Sequence, residues 1–443
     1  MATWKLPADL RSSITQLGEL LDARSSGRLL IIFAGVLFAR GRRTVASWLR
    51  AVGVGDDFPD YYYFLNSLGR KTESIAADLL RQAVRVIGPG ERVLLGLDDT
   101  PTKRYGPRVQ GAGLHHNPTP GPADQKFVYG HVWVTLAWLV RHPLWHCIGL
   151  PLRAVMYVRQ KDMTKLPRNV RGAVRFRTKL KMAAELIEWS ARWLHYLGKT
   201  VWVVADGAYA KRPVLKAARA RNVVVVSRLR KDAALFDVPK PPRRPRPGRP
   251  RKYGDRISLA KRGAHPRRWQ TGAFTLYGKT VTKTFKSFVA TYPPAGGAIW
   301  VVIVREADGW IAFFATDPNA TAAEVLEAVA DRAAIEQDFH DLKEVHGAGQ
   351  QQVRNYWANV AAYHMNLWMF TLIELWAWGR PKAELCDRRA SPWDDPDRRP
   401  SHADRRNALR RQCLASEFQA ATAGRRLARK LRHLFTGLLN LAA

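Results

Sequence analysis

The chain has 443 residues, 47% of them hydrophobic, which is enough for two or three compact units and too apolar for a disordered polypeptide. Lys and Arg number 72 against 37 Asp and Glu, a net charge of +35, and a surplus of that size attracts polyanions, of which nucleic acid is the commonest large one in a cell. Cys147, Cys386 and Cys413 are scattered and odd in number, which excludes a disulfide framework or zinc knuckle and fits a reducing cytoplasm.

The first residues lack a basic segment followed by an apolar one, so no signal peptide is expected. The apolar run 128–140 is broken by His131 and falls short of the roughly 20 residues of a membrane span, so no membrane partner is expected. Residues 1–88 read as a helical N-terminal DNA-binding region, with helix-like apolar spacing over 17–21, 29–38 and 74–86. Within it, 41–53 reads as a short basic helix carrying Arg42 and Arg43, either part of a DNA-reading element or a bare amphipathic helix.

From 89 to 227 the pattern turns mixed α/β. Short apolar runs at 92–99, 131–140 and 154–158 read as three strands, followed by a helix over 178–197, a strand over 201–206, a helix over 213–220 and a strand over 222–227. Residues 228–318 read as a β-rich insertion, with a basic Pro/Arg linker at 239–254 and hairpins over 274–292 and 300–317. Helical spacing returns over 319–378: Thr321 and Glu324 have capping-box spacing, and helices are expected over 323–345 and 357–378. Residues 379–443 read as a basic tail, with a basic arm at 391–411 placed to touch DNA in trans, whose Asp394, Asp395 and Asp397 are solvated turn residues, and one helix over 424–439.

Three carboxylates stand out. Asp98 and Asp206 each close an apolar strand before a turn, and strand ends of an α/β sheet gather at one edge, where ligands bind. A carboxylate there must face water, pair or bind a cation. Asp99 competes with Asp98, since alternation lets only one of them point into a site; the other would be a turn residue. Glu336 shares a helical stripe with Arg332, His340 and Lys343, which reads either as a solvated salt-bridge ladder or as part of a site. Oxygen-ligated cations suit phosphodiester chemistry, and carboxylates suit Mg²⁺.

Arg332, Glu336 and Lys343 also have the spacing of the last three positions of a Tyr-x2-Arg-x3-Glu-x6-Lys signature, with Val329 at the Tyr position. Asp98-Asp99-Thr100 resembles a strand-ending Asp-x-Thr, and Asp206-Gly207-Ala208-Tyr209 an Asp-x-x-Tyr element. With the β-rich segment between the second Asp and the Glu helix, residues 90–375 resemble the bacterial insertion-sequence DDE transposases of the Tyr-Arg-Glu-Lys group. That resemblance implies an RNase H-like catalytic core interrupted by a β-rich insertion, between helical N- and C-terminal regions. It implies Asp98, Asp206 and Glu336 (Asp99 as the alternative) holding two Mg²⁺ per active site, with Mn²⁺ substituting, and Arg332 and Lys343 contacting DNA. The activity implied is cutting at terminal inverted repeats and joining 3′ ends to target DNA, as a homodimer in a synaptic complex on double-stranded DNA, in a bacterial cytoplasm at the nucleoid. The alternative is an RNase H-like metal-dependent nuclease or a domesticated transposase that cuts without joining.

Further DNA contacts are expected from His340 and from the segment 247–252, whose Arg249, Arg251 and Lys252 form either a minor-groove hook or a basic linker. His115 and His116 have no partners at zinc spacing. Trp300 and Trp310 read as core residues or as platforms for a flipped base.

Overall fold

The computed structural model describes residues 5–117, 125–239, 251–387, 393–395 and 397–422. Five helices open it: α1 (Ala8–Gly18), α2 (Ala23–Phe38), α3 (Val45–Ala51), α4 (Phe58–Leu68) and α5 (Thr72–Ile87). Local signals start two of them, the Asp22 side chain accepting from Ser25 N before α2 and Thr44 from Ser47 N before α3. The basic helix expected over 41–53 is α3. Along α5, Ile75, Leu79 and Ala83 recur at helical spacing and are fully buried.

The strands β1 (Arg92–Lys103), β2 (Gly113–His116), β3 (Phe127–His142) and β4 (His146–Tyr157) follow. After the short α6 (Arg168–Arg171) come α7 (Lys179–Leu194), β5 (Thr200–Ala205), α8 (Arg212–Ala220) and β6 (Val224–Leu229). β1 pairs antiparallel with β3, β3 antiparallel with β4, and β1 parallel with β5, which pairs parallel with β6. The order β4-β3-β1-β5-β6 therefore has β1 at its centre.

The β-rich segment contains β7 (Leu235–Phe236), β8 (Arg256–Ile257), α9 (Leu259–Ala264), β9 (Gln270–Leu276), β10 (Lys279–Tyr292), β11 (Gly297–Glu306) and β12 (Gly309–Ala315). Both expected hairpins are present, as β9–β10 and β11–β12. They continue the same sheet, because β12 pairs antiparallel with β6 through Ala312↔Leu229 to Ala315↔Val226. Without β12, β6 would expose an unpaired edge.

The helix expected over 323–345 is two helices, α10 (Ala322–Asp331) and α11 (Ala333–Glu344), interrupted at Arg332. Thr321 and Glu324 form the expected capping box. Next comes α12 (Tyr356–Ala377), buried on nearly every face; α1, α2, α4, α5 and β4 all pack on it, so one core joins the N-terminal helices to the sheet. Among the described residues no helix is long and apolar enough to cross a membrane. The polar residues of α12 answer a local need. A register shift between Leu136 and Ala137 marks a bulge in the β3–β4 pairing at Leu152, beside Pro151. Thr371 Oγ1 donates to the Pro151 carbonyl at 2.6 Å and Trp368 Nε1 to the Leu152 carbonyl at 3.0 Å, satisfying backbone acceptors at the irregularity.

The short α13 (Lys382–Leu385) precedes α14 (His402–Thr422). Part of the stretch expected as an arm at 391–411 is thus a docked helix: Arg405, Arg406 and Arg410 are buried, and Arg406 Nη2 donates to the Leu37 carbonyl at 2.8 Å. The basic residues suggested an arm reaching DNA, but Glu374 on α12 neutralises Arg405 at 2.9 Å. The helix expected over 424–439 lies outside the described residues.

Candidate active site

The parallel pairing of β1 with β5 ends at Leu97↔Ala205. The next residues are Asp98 and Asp206, so two neighbouring strands deliver their carboxylates side by side at the same level of the sheet. Asp98 does not close its strand, contrary to the sequence expectation: β1 continues to Lys103, supported by β3 on its other side. Asp98 sits where β5 drops away and leaves one flank of β1 open. Asp206 is exposed, and its Oδ2 accepts from Ala208 N at 3.1 Å in a tight turn.

Asp99 is a strand residue, not the turn residue that its rivalry with Asp98 suggested. Its carboxylate accepts from Tyr209 Oη at 2.5 Å and from Lys179 Nζ at 2.6 Å. Asp98 instead accepts from Arg332 Nη1 at 2.7 Å and from the Asp99 backbone N–H at 2.8 Å. Burial, aided by the neighbouring Asp99 and Asp206 charges, pushes the Asp98 carboxyl up to about 6 even though Arg332 opposes the shift.

Arg332 uses its other terminal nitrogen on Glu336, Nη2 to Oε1 at 2.7 Å. One rung of the expected salt-bridge ladder, Arg332–Glu336, is therefore present, and the same guanidinium ties Glu336 to Asp98 across the break between α10 and α11. The Glu336 side chain is 59% exposed, open to a ligand from solvent. Among the described residues no group of three His, Cys, Asp or Glu is poised to hold a metal ion; Arg332 is the cation between Asp98 and Glu336. The donor set is nonetheless all carboxylate oxygen, the kind that hard divalent cations take, and a carboxylate raised by burial gains from an added positive charge.

The remaining sequence candidates are dispersed. Lys343 is half-buried in the last turn of α11, and His340 is exposed with Nδ1 3.1 Å from Asp341 Oδ1. Arg42 is exposed, whereas Arg43 is half-buried and reaches the Glu344 carbonyl at 3.4 Å, at the C-terminal end of α11. Arg251 and Lys252 are exposed; Arg249 lies outside the described residues. On β2, His115 is buried and His116 exposed. Trp300 and Trp310 are half-buried against the apolar clusters, as core residues would be. Lys179 was not singled out from sequence, since its partner Asp99 lies 80 residues away. Tyr209 was legible only as a motif position; the turn that follows Asp206 brings its hydroxyl back to β1.

Residues 16–287 match a family model described as DDE superfamily endonuclease. The match includes Asp98 and Asp206 and ends before Arg332, Glu336 and Lys343. No curated protein matches the chain. Since the matched span is more than half of the sequence and holds the two aspartates that the sheet brings together, the chain belongs to the DDE superfamily endonucleases.

Proposed function

We propose that the protein is a transposase of the Tyr-Arg-Glu-Lys group, cutting DNA at the terminal inverted repeats of its own element and joining the 3′ ends to target DNA. The observation that carries this reading is the meeting of Asp98 and Asp206 at the end of the β1–β5 pairing, with Glu336 tied to Asp98 through Arg332. The strand order β4-β3-β1-β5-β6, three antiparallel strands and then two parallel ones, supports an RNase H-like core.

Asp98, Asp206 and Glu336 would hold the divalent ions, Mg²⁺ or Mn²⁺. When bound, such ions neutralise phosphate charge and activate an oxygen nucleophile. Asp99 stays out of that set, its carboxylate engaged by Tyr209 and Lys179, and acts to fix β1 beside Asp98. Arg332 pairs with both carboxylates and would give way to ions held there, and its forked donors suit a DNA phosphate. Lys343, on the same stripe of α11 as Glu336, adds a further positive charge. A synaptic dimer on the two element ends follows from the same family reading.

The test is nicking of supercoiled plasmid carrying the DNA that flanks the reading frame, in Mg²⁺ or Mn²⁺. Asp98→Asn, Asp206→Asn and Glu336→Gln should each abolish nicking while DNA binding persists, and full activity in any of them removes that residue from the set. Pre-cleaved ends offered with a target plasmid yield joined products from a transposase and none from a nuclease that only cuts.

A further inference from the structure

Asp98, Thr100, Thr102 and Arg104 alternate along β1 and its immediate continuation, so they share one face. Six residues of extended chain place Arg104 about 20 Å beyond Asp98. There a cavity of about 540 Å³ is lined by Arg42, Arg104, Tyr105, Arg108, Gln352 and Arg354, among others, and by no acidic residue.

Arg104 is built into this cavity. It is 6% exposed, its Nε donates to His131 Nδ1 at 3.2 Å, and its Nη1 donates to the Gly349 carbonyl. His131 is oriented for that contact because its Nε2–H is taken by the Gln110 carbonyl at 3.0 Å. The buried Arg104 Nη2 has no hydrogen-bond partner. Burial lowers Arg104 only to about 10, which leaves it charged at neutral pH. Such a charge calls for an anion, and among the described residues no carboxylate pairs with Arg42, Arg104, Arg108 or Arg354. Arg42, Arg108 and Arg354 are exposed around the opening, and the Tyr105 ring stands out at 78% exposure.

We infer that this cavity binds a backbone phosphate of the DNA that leads away from the cut, with Arg104 at its floor, Arg42, Arg108 and Arg354 at its rim, and Tyr105 against the adjoining sugar. Phosphates of one strand are about 3.4 Å apart along the duplex, so 20 Å corresponds to a contact some six nucleotides from the reacting phosphate. The loop carrying Gly349, Gln352 and Arg354 follows α11, so the helix that bears Glu336 also leads to the cavity wall. Gln352 holds a left-handed φ of 50° in this loop, and its amide, oxygen turned towards Arg42, accepts from both Arg42 Nη atoms at 3.2 Å.

The inference rests on the DNA-cutting reading, and its test is independent of cutting. Equilibrium binding of a fluorescein-labelled 30-base-pair duplex (~100 Å at 3.4 Å per pair) is followed by anisotropy over a salt series in chelator. For the Arg108→Ala/Arg354→Ala double variant, the slope of log K against log salt should fall by about 1, one phosphate contact being worth about 0.9. At low salt the affinity should drop about tenfold or more. Arg104→Gln should lower the slope likewise; because it could also disturb folding, its circular dichroism is compared with the wild type, and the two rim substitutions carry the decision. A control double variant, Lys216→Ala/Arg221→Ala, removes the same charge from exposed positions on α8 and at its C-cap and should leave the slope unchanged. A wild-type slope in the rim variant, or an equal fall in the control, overturns the inference. Neither outcome touches the nicking result, and loss of the nicking assignment leaves this binding result standing.

Discussion

The Tyr209 hydroxyl donates to the Asp99 carboxylate at 2.5 Å, fastening the turn that follows Asp206 to the strand that carries Asp98. Burial first, and then the Asp99 charge, raise the Tyr209 hydroxyl far above its usual range, so it remains a donor at every physiological pH. Tyr209→Phe removes one of two donors to a partly buried carboxylate and should destabilise the fold by about 1–3 kcal/mol. As a positioning residue, Tyr209 should also affect divalent-ion affinity. Titration calorimetry with Mn²⁺ should show weaker binding in Tyr209→Phe, and unchanged affinity would confine Tyr209 to a structural role.

The competition between Asp98 and Asp99 can be decided by activity. Asp98→Asn should abolish metal-dependent nicking, whereas Asp99→Asn keeps oxygen and shape beside Tyr209 and Lys179 and should retain measurable activity. Equal loss in both variants would place Asp99 among the reacting groups.

Asp98 also sets a pH dependence. Its folded-state pKa of about 6 lies above the usual 3.8, so between those values the folded protein holds a proton that the unfolded chain has released. That contribution to stability is fully present below 3.8 and is lost as pH rises through about 6. Its upper limit, from a shift of about two units, is ~3 kcal/mol. Denaturant melts from pH 4 to 7 (a window of roughly three units about this shift) should show this slope in the wild type and a shallower one in Asp98→Asn. Nicking, which needs the carboxylate ionised, should rise over the same interval.

Arg332 is the cation between Asp98 and Glu336. Arg332→Ala leaves Asp98 without its charge partner and should cost about 1–3 kcal/mol at neutral pH, less in acid where Asp98 is protonated. Mg²⁺ should then raise the melting temperature of Arg332→Ala more than that of the wild type, because the ion no longer competes with a resident guanidinium. An equal or smaller rise would show that Arg332 does not compete for the site.

Glu374 anchors α14. Burial favours its neutral form, but Arg405 and His402 outweigh that and hold its pKa below the usual carboxylate value. It accepts from His402 Nδ1 at 2.5 Å and pairs with Arg405 at 2.9 Å. Glu374→Ala leaves Arg405 buried without a counter-charge and should cost about 3–5 kcal/mol. The loss should appear first as faster proteolysis within 402–422. Stability from Glu374 is present above the usual carboxylate pKa and fades as pH falls through its depressed value.

Several elements were legible in the sequence because their causes are local. Alternating and 3.6-residue apolar spacing marked the first strand, the hairpins and α12, and the Thr321–Glu324 capping box fixed the start of α10. The three acidic positions could likewise be picked out by residue type and spacing. What spacing could not express was anything set by a partner far along the chain. The lysine that engages Asp99 lies 80 residues from it. Arg332 reaches Asp98 across 234 residues. The basic stretch after 400 read as an arm reaching DNA, whereas in the fold Glu374 supplies a buried counter-charge to Arg405.

By itself, then, the sequence determined the periodic elements, the basic character and the acidic candidates, since each follows from neighbouring residues. Only the tertiary structure decided that β1 runs on past Asp98, that Asp99 is engaged by Tyr209 and Lys179, and that the later hairpins extend the sheet of the first strands. Those outcomes depend on which strand supports which edge and on which charge is neutralised by a distant partner, and both are set by packing.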